Sequence, residues 1–266
     1  MTSTILLTGG TGTLGRLTAP LLRQAGHHVR VLSRRPQDPS DGVEPVTGDL
    51  ATGEGVDAAV AGVDVIVHCA GNATGDDVTT GTLARAASRA GAPHLVHISV
   101  VGADRIPVVS RLDRAMFGYF ASKLAAEQVV TGSGLPWTIL RATQFHDLAL
   151  TTAAAMARLP VVPVPAGVRF QPVDAGEVAT RLAELAQGTP AGLVDDVAGP
   201  RVYEMRDLVR SYLRATSRRR PLVPVRLPGA AARALRAGAN LAPDDAVGTV
   251  TWEQFLSGRV ASGSPA

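Results

Sequence analysis

The chain has 266 residues, 45% of them hydrophobic and 18% charged, with 28 glycines, 18 prolines and a net charge of +3. Such a composition suits one or two globular domains with a buried core and argues against a fibrous or disordered protein. No run approaches the ~18 apolar residues of a membrane span, and the start MTSTILLTGG has no basic segment ahead of a cleavable apolar one. A lone cysteine, Cys69, cannot form an internal disulfide, and no Cys/His cluster has the spacing of a zinc site. The expectation is a protein of the reducing cytoplasm with no metal and no membrane partner.

Alternation begins at once. ILLT (Ile5 to Thr8) reads as a strand, Leu14 to Ala25 as an apolar-periodic helix, and Val29 to Ser33 as a second strand. Further strands are expected at Glu44 to Thr47, Val63 to His68, His94 to Ser99 and Trp137 to Arg141, with helices near Gly53 to Ala61, Thr79 to Ala90 and Leu112 to Thr131. The fold class is therefore α/β, a Rossmann-type doubly wound parallel sheet covered on both faces.

After Arg141 the rhythm changes: a helix from Phe145 to Arg158 leads into the Pro-punctuated PVVPVPAGVRFQPV. A helix over Ala175 to Gln187, a strand near Leu193 to Ala198, and helices at Glu204 to Thr216, Ala230 to Ala239 and Thr251 to Leu256 are expected to follow. The expected division is a nucleotide-binding domain over 1–145 and a smaller C-terminal substrate lobe over 146–258. Residues 168–198 are expected to return to the main sheet, and 259–266 to form a disordered tail.

Residues 8–15 read TGGTGTLG, between the first strand and the first helix. In this context Gly9 and Gly10 permit the tight turn, Gly12 lets a pyrophosphate approach bare backbone, and Gly15 lets the helix pack closely. Thr11, Thr13 and Leu14 complete the turn, and the N–H groups opening the helix face negative charge. The second strand ends in Ser33, Arg34 and Arg35, where an NAD-preferring site would carry an acidic residue for the ribose. Guanidinium groups bind phosphate through paired donors, so this corner predicts NADP(H). Asp49 and Leu50 follow the third strand; Asp49 either reaches the adenine edge or caps the next helix.

Of the 26 basic residues only Lys123 is lysine, and it stands four residues after Tyr119. Residues four apart share a helix face, so phenol and ammonium can point into one cleft, where the cation would draw the phenol's pKa down from about 10. The plain alternative is a surface ion pair between Lys123 and Glu127 at i+4.

These pieces resemble the atypical branch of the short-chain dehydrogenase/reductase superfamily, the NmrA-like NAD(P)-binding proteins. The resemblance spans TGGTGTLG, VHCAG (Val67 to Gly71), HISVVGAD (His97 to Asp104), YFASKLAAE, LPWTILRATQF (Leu135 to Phe145) and QPVDAGEVA (Gln171 to Ala179). It implies that Cys69, Ala70 and Gly71 run past the cofactor, that Tyr119 exchanges a proton with the substrate oxygen, and that Lys123 binds the nicotinamide ribose. The superfamily's third hydroxyl falls near Ser99, which is read either as catalytic or as a strand-end backbone ligand. Gln144, Phe145 and His146 are implied to border the substrate.

The resulting expectation is an NADPH-dependent oxidoreductase acting on a small carbonyl or conjugated organic substrate. Its rivals are a redox-sensing regulator that binds NADP without turnover, and an isomerase, epimerase or cyclase on the same site. Arg206, Arg210, Arg214 and Arg218 recur every four residues and run into Arg219 and Arg220. Without an aromatic platform or helix-turn-helix they read as a solvated face, so no nucleic acid is expected. Monomer and homodimer are both open.

Overall fold

The computed structural model describes residues 2–38, 42–72 and 74–261, apart from the side chains of Val260 and Ala261. Its first elements are β1 (Thr4–Thr8), α1 (Thr13–Gln24), β2 (His28–Ser33), β3 (Val43–Thr47), α2 (Val56–Val60), β4 (Val65–His68), α3 (Asp76–Arg89), β5 (His94–Val100), α4 (Arg111–Thr131) and β6 (Trp137–Ala142). There follow α5 (His146–Met156), β7 (Val162–Pro165), β8 (Arg169–Phe170), α6 (Ala175–Gln187), β9 (Gly192–Leu193), β10 (Tyr203–Glu204), α7 (Met205–Ala215), β11 (Leu222–Val225), α8 (Ala230–Arg236) and α9 (Trp252–Ala261).

Seven strands form the main sheet in the order β3-β2-β1-β4-β5-β6-β9. The register is parallel: Ile5 lies opposite Val29 and Val65, Ile66 opposite Leu95, and Thr138 opposite Gly192. Ile5, Leu6 and Leu7 are all fully buried although successive side chains point to opposite faces, so both faces of the sheet are covered. One core cluster joins Leu6, Leu32, Ile66, Leu95 and Ile139 from five strands to Val56, Leu83 and Val130 from α2, α3 and α4. Each such side chain contributes about 1.5–3 kcal/mol. Strand order reverses between β1 and β4, and in open sheets of this kind the crevice beyond the carboxyl ends at that reversal is where ligands bind.

The chain divides into two compact units, one comprising Met1–Ser99, Gly118–Arg141 and Gly176–Asp195, the other Val100–Phe117, Ala142–Ala175 and Asp196–Ala266. Residues Gly176–Asp195, which hold β9 and nearly all of α6, belong to the first unit, and β9 pairs with β6 at the edge of the main sheet.

The second unit has its own core, in which α5, α7 and α9 pack around Trp252. Trp252 is fully buried and donates its indole N–H to Ser211 Oγ at 2.6 Å. A small parallel pair, β7 with β11, runs from Val162 opposite Leu222 to Pro165 opposite Val225. The sequence reading contained neither strand, because Pro163, Pro165 and Pro224 cannot donate to a ladder; a two-stranded ribbon has outer edges that tolerate them. β9 stops at Leu193, short of the expected Ala198, with Val197 reduced to an isolated bridge to Ala142. Helix α9 continues through Ala261, past the expected end at Leu256 and into the expected tail, of which 262–266 lie outside the described residues.

Candidate cofactor and active site

Beyond the carboxyl ends of β1, β2 and β4 lies a cleft of about 830 Å³ within the first unit. Its floor is the glycine turn. Gly9 has φ +69°, and a Cβ there would come within 2.6 Å of the Ala70 nitrogen. A Cβ on Gly10 would lie 2.5 Å from a Val31 methyl, and one on Gly15 would collide with the Gly9 carbonyl. Gly12 differs: a Cβ there would meet only the Gly9 carbonyl, at 3.2 Å, and the residue lines the cleft. Three glycines are thus required by packing, and the fourth leaves bare backbone toward the cleft. Gly12 is also the N-cap of α1, with no side-chain cap and no acidic residue in the first turn, so the positive end of the helix is open to an anion. Thr13 and Leu14 are the first residues of that helix, and Leu14 is buried.

Of the residues expected to hold the cofactor, Gly9, Thr11, Gly12, Ser33, Arg34, Arg35, Asp49, Leu50, Cys69, Ala70 and Gly71 line the cleft. Ser33 Oγ accepts the Arg35 N–H at 3.3 Å and shapes the corner, and neither Arg34 nor Arg35 has an ion-pair partner among the described residues. Asp49 lines the cleft and accepts the Ala51 N–H at 2.8 Å; it does not cap the next helix, whose N-cap is Gly55 with no side-chain cap. Also lining the cleft, and not among the expected cofactor residues, are Thr8, Leu32, Gln37, Gly48, Ala51, Asn72 and Thr79. Gln37 and Asn72 directly extend the two loops already singled out; Thr79, on α3, gave no local signal.

A dinucleotide fits this set: exposed backbone at Gly12, an uncapped helix end and two unneutralised guanidinium groups suit its phosphates. Burial pushes the Cys69 thiol up to about 12 despite the Lys123 charge, which leaves it a filler rather than a nucleophile.

Tyr119 and Lys123 both project from α4. Lys123 is buried and its Nζ lies 5.7 Å from the centre of the Tyr119 ring, whereas Tyr119 remains 41% exposed. The expected lowering of the phenol pKa is outweighed. Desolvation raises it above 10, Lys123 pulls it down in part, and Asp76 pushes it up again. Lys123 does not pair with Glu127. Its ammonium meets Asp76 Oδ2 at 2.9 Å, and Glu127 instead forms a buried two-pronged pair with Arg141 at 2.8 and 2.6 Å.

Ser99 is inside β5 and 5% exposed, and its Oγ has no hydrogen-bond partner among the described residues, so it is not a strand-end backbone ligand. His97, two residues earlier and on the same face of the strand, is fully buried with both ring nitrogens likewise without a partner among the described residues.

In the second unit His146 is fully buried. Its Nε2 lies 3.0 Å from the Val250 carbonyl, and its ring stacks on Phe255 at 5.0 Å, which makes it part of the aromatic core of that unit. Phe145, half-buried, is the N-cap of α5, and the Gln144 carbonyl accepts the Val173 N–H at 3.0 Å. The arginine stripe of α7 lines a shallow cavity of about 380 Å³ with Arg218, Arg219 and Arg220; Arg210 pairs with Asp207 at 2.9 Å.

Sheet order, glycine turn and cleft together define a Rossmann-type dinucleotide-binding protein. Residues 9–163 match a family described as NAD(P)H-binding, and the chain belongs to that family. The match agrees with the NAD(P)-binding part of the expectation. Among curated proteins the chain is 31% identical over 219 residues to a (4-alkanoyl-5-oxo-2,5-dihydrofuran-3-yl)methyl phosphate reductase of Streptomyces griseus, covering 80% of this chain and 74% of that one. It is also 31% identical over 212 residues to a ceramide reductase of Caulobacter vibrioides, covering 72% of this chain and 63% of that one. The fold superposes with a TM-score of 0.78 and 17% identity on an Escherichia coli NADPH-dependent quinone oxidoreductase complexed with NADPH, covering 96% and 99% of the two chains.

Proposed function

We propose that this protein is an NADPH-dependent reductase of a small carbonyl or conjugated organic substrate, with Tyr119 as the proton donor. The observation that carries the reading is the buried Lys123 ammonium 5.7 Å from the half-exposed ring of Tyr119, in the unit that also holds the dinucleotide cleft. Gly12 and the uncapped start of α1 would receive the pyrophosphate, and Arg34 with Arg35 the 2′-phosphate that distinguishes NADPH from NADH. A reduced nicotinamide bound there supplies the hydride. Tyr119, protonated at neutral pH, gives its proton to the oxygen on which negative charge develops, while Lys123 favours the phenolate left behind. Both curated relatives are named as reductases, which supports the reductive direction. A sensor without turnover would use the phosphate turn but has no need of an acid poised beside an ammonium.

The test is NADPH oxidation by the purified protein across ketones, enones and unsaturated lactones. Oxidation that needs both protein and acceptor is expected. Tight NADPH binding with no consumption across the panel would instead leave the sensor.

A further inference from the structure

We infer that Asp76 is a positioning residue of this site: it locks the Lys123 ammonium against the Gly71 backbone at the end of the cofactor cleft and supplies its buried counter-charge. The inference rests on the reading of Lys123 as the group that holds the cofactor and serves Tyr119. Asp76 makes three separate attachments. Its Oδ2 lies 2.9 Å from Lys123 Nζ, the two side chains being only 2% and 6% exposed. Its Oδ1 accepts the Asn72 N–H at 2.6 Å, fixing the loop that lines the cleft. Its own backbone N–H donates to Ser122 Oγ at 3.2 Å, on the residue before Lys123. One carboxylate therefore joins the cleft loop, the start of α3 and the catalytic stretch of α4.

Gly71 is part of the same device. A Cβ there would lie 2.6 Å from Lys123 Nζ and 3.3 Å from Asp76 Oδ2, so the missing side chain is what lets the ion pair reach the cleft loop. The other titratable groups that feel the Lys123 charge are Tyr119 on its own helix, His68 and Cys69 at the end of β4, and His97 on β5. His68 titrates only at about 3 and Cys69 at about 12, so neither carries charge at neutral pH. His97 is neutral there for the same reason, burial. Compensation of the ammonium falls to Asp76.

A simple strut and a counter-charge give different results when NADPH dissociation constants are measured from neutral pH to about 9.5. Asp76→Asn keeps an oxygen for the Asn72 N–H but removes the charge, and a buried ammonium without its carboxylate gives up its proton more readily. Wild type is expected to bind evenly across the range. Asp76→Asn should lose affinity as pH rises, by up to about tenfold per pH unit, and Lys123→Met should be weak and level throughout. Weakening of Asp76→Asn that is the same at every pH, or no weakening, overturns the inference. Unaltered binding by Lys123→Met would instead remove the reading of Lys123 on which it rests. Should Asp76→Asn fail to fold, the double variant with Lys123→Met decides, since it leaves no orphaned charge. Recovery of the folded protein supports the counter-charge, and continued failure overturns it.

Discussion

His97 lies directly across from His68 in the register of β5 and β4, and the two rings stack with centroids 5.1 Å apart. Both are buried and uncharged: burial takes His68 down to about 3, and burial, the neighbouring imidazole and Lys123 take His97 well below its usual 6.5. The unfolded chain binds protons at these positions below about pH 6.5 while the folded chain does not, so the stability they confer is complete above that pH. It declines as pH falls toward 3, by up to about 1.4 kcal/mol per pH unit for each ring. Urea unfolding should therefore give midpoints that drop steeply between about pH 6.5 and 4.5. His97→Leu, which removes a ring with neither nitrogen bonded among the described residues, should flatten that slope by roughly half. An unchanged slope would show that the pair is not what titrates.

The ionisation of the Tyr119 phenol sets how the proposed reduction depends on pH. Because it is raised above 10, the acid form persists through the neutral range, and reduction should be level there and fall only at strongly alkaline pH. Tyr119→Phe should lower kcat by about 10²–10⁴-fold with little change in NADPH affinity. A variant that turns over as fast as wild type would leave the proton to another donor, Ser99 being the buried hydroxyl nearest in the family pattern.

How much of this was legible in the sequence follows the range of each signal. The glycine turn is local, since a backbone at φ +69° and a close approach to Ala70 can be met only by glycine, and TGGTGTLG declares it. The parallel sheet was legible because strands buried on both faces read as short apolar runs, and the structure agrees with the expected fold class. Lys123 stood out because every other basic residue is arginine, yet its partner did not. Periodicity compares only residues on one helix, which suggested Glu127, whereas Asp76 reaches Lys123 from the start of α3. His146 was placed beside the substrate by the resemblance alone, and no local signal declared its packing against Phe255, which comes from a helix about a hundred residues downstream.

The proposed 2′-phosphate site is the corner after β2. Arg34 and Arg35 line the cleft without ion-pair partners among the described residues, so a 2′-phosphate gains charge-assisted hydrogen bonds there without displacing a carboxylate. Arg34→Ala is expected to weaken NADPH by about ten- to a hundredfold and NADH by much less, as judged by fluorescence titration of both. Equal losses for the two cofactors would assign the phosphate elsewhere.

The glycines of the turn offer a separation of folding from binding. Gly15→Ala puts a methyl group against the Gly9 carbonyl in a position fixed by α1, and the turn must distort to admit it. A loss of about 1–3 kcal/mol in stability is expected, together with loss of NADPH binding. Gly12→Ala meets only one neighbour, at 3.2 Å, and its backbone φ of −80° is accessible to alanine, so the fold should tolerate it with little change in Tm. The added methyl nevertheless falls where bare backbone would receive the pyrophosphate, and NADPH affinity should drop at least tenfold. Thermal unfolding of the two variants beside NADPH titration reads both effects. A Gly12→Ala protein that binds NADPH as wild type does would place the phosphates away from this turn and undo the assignment of the cleft.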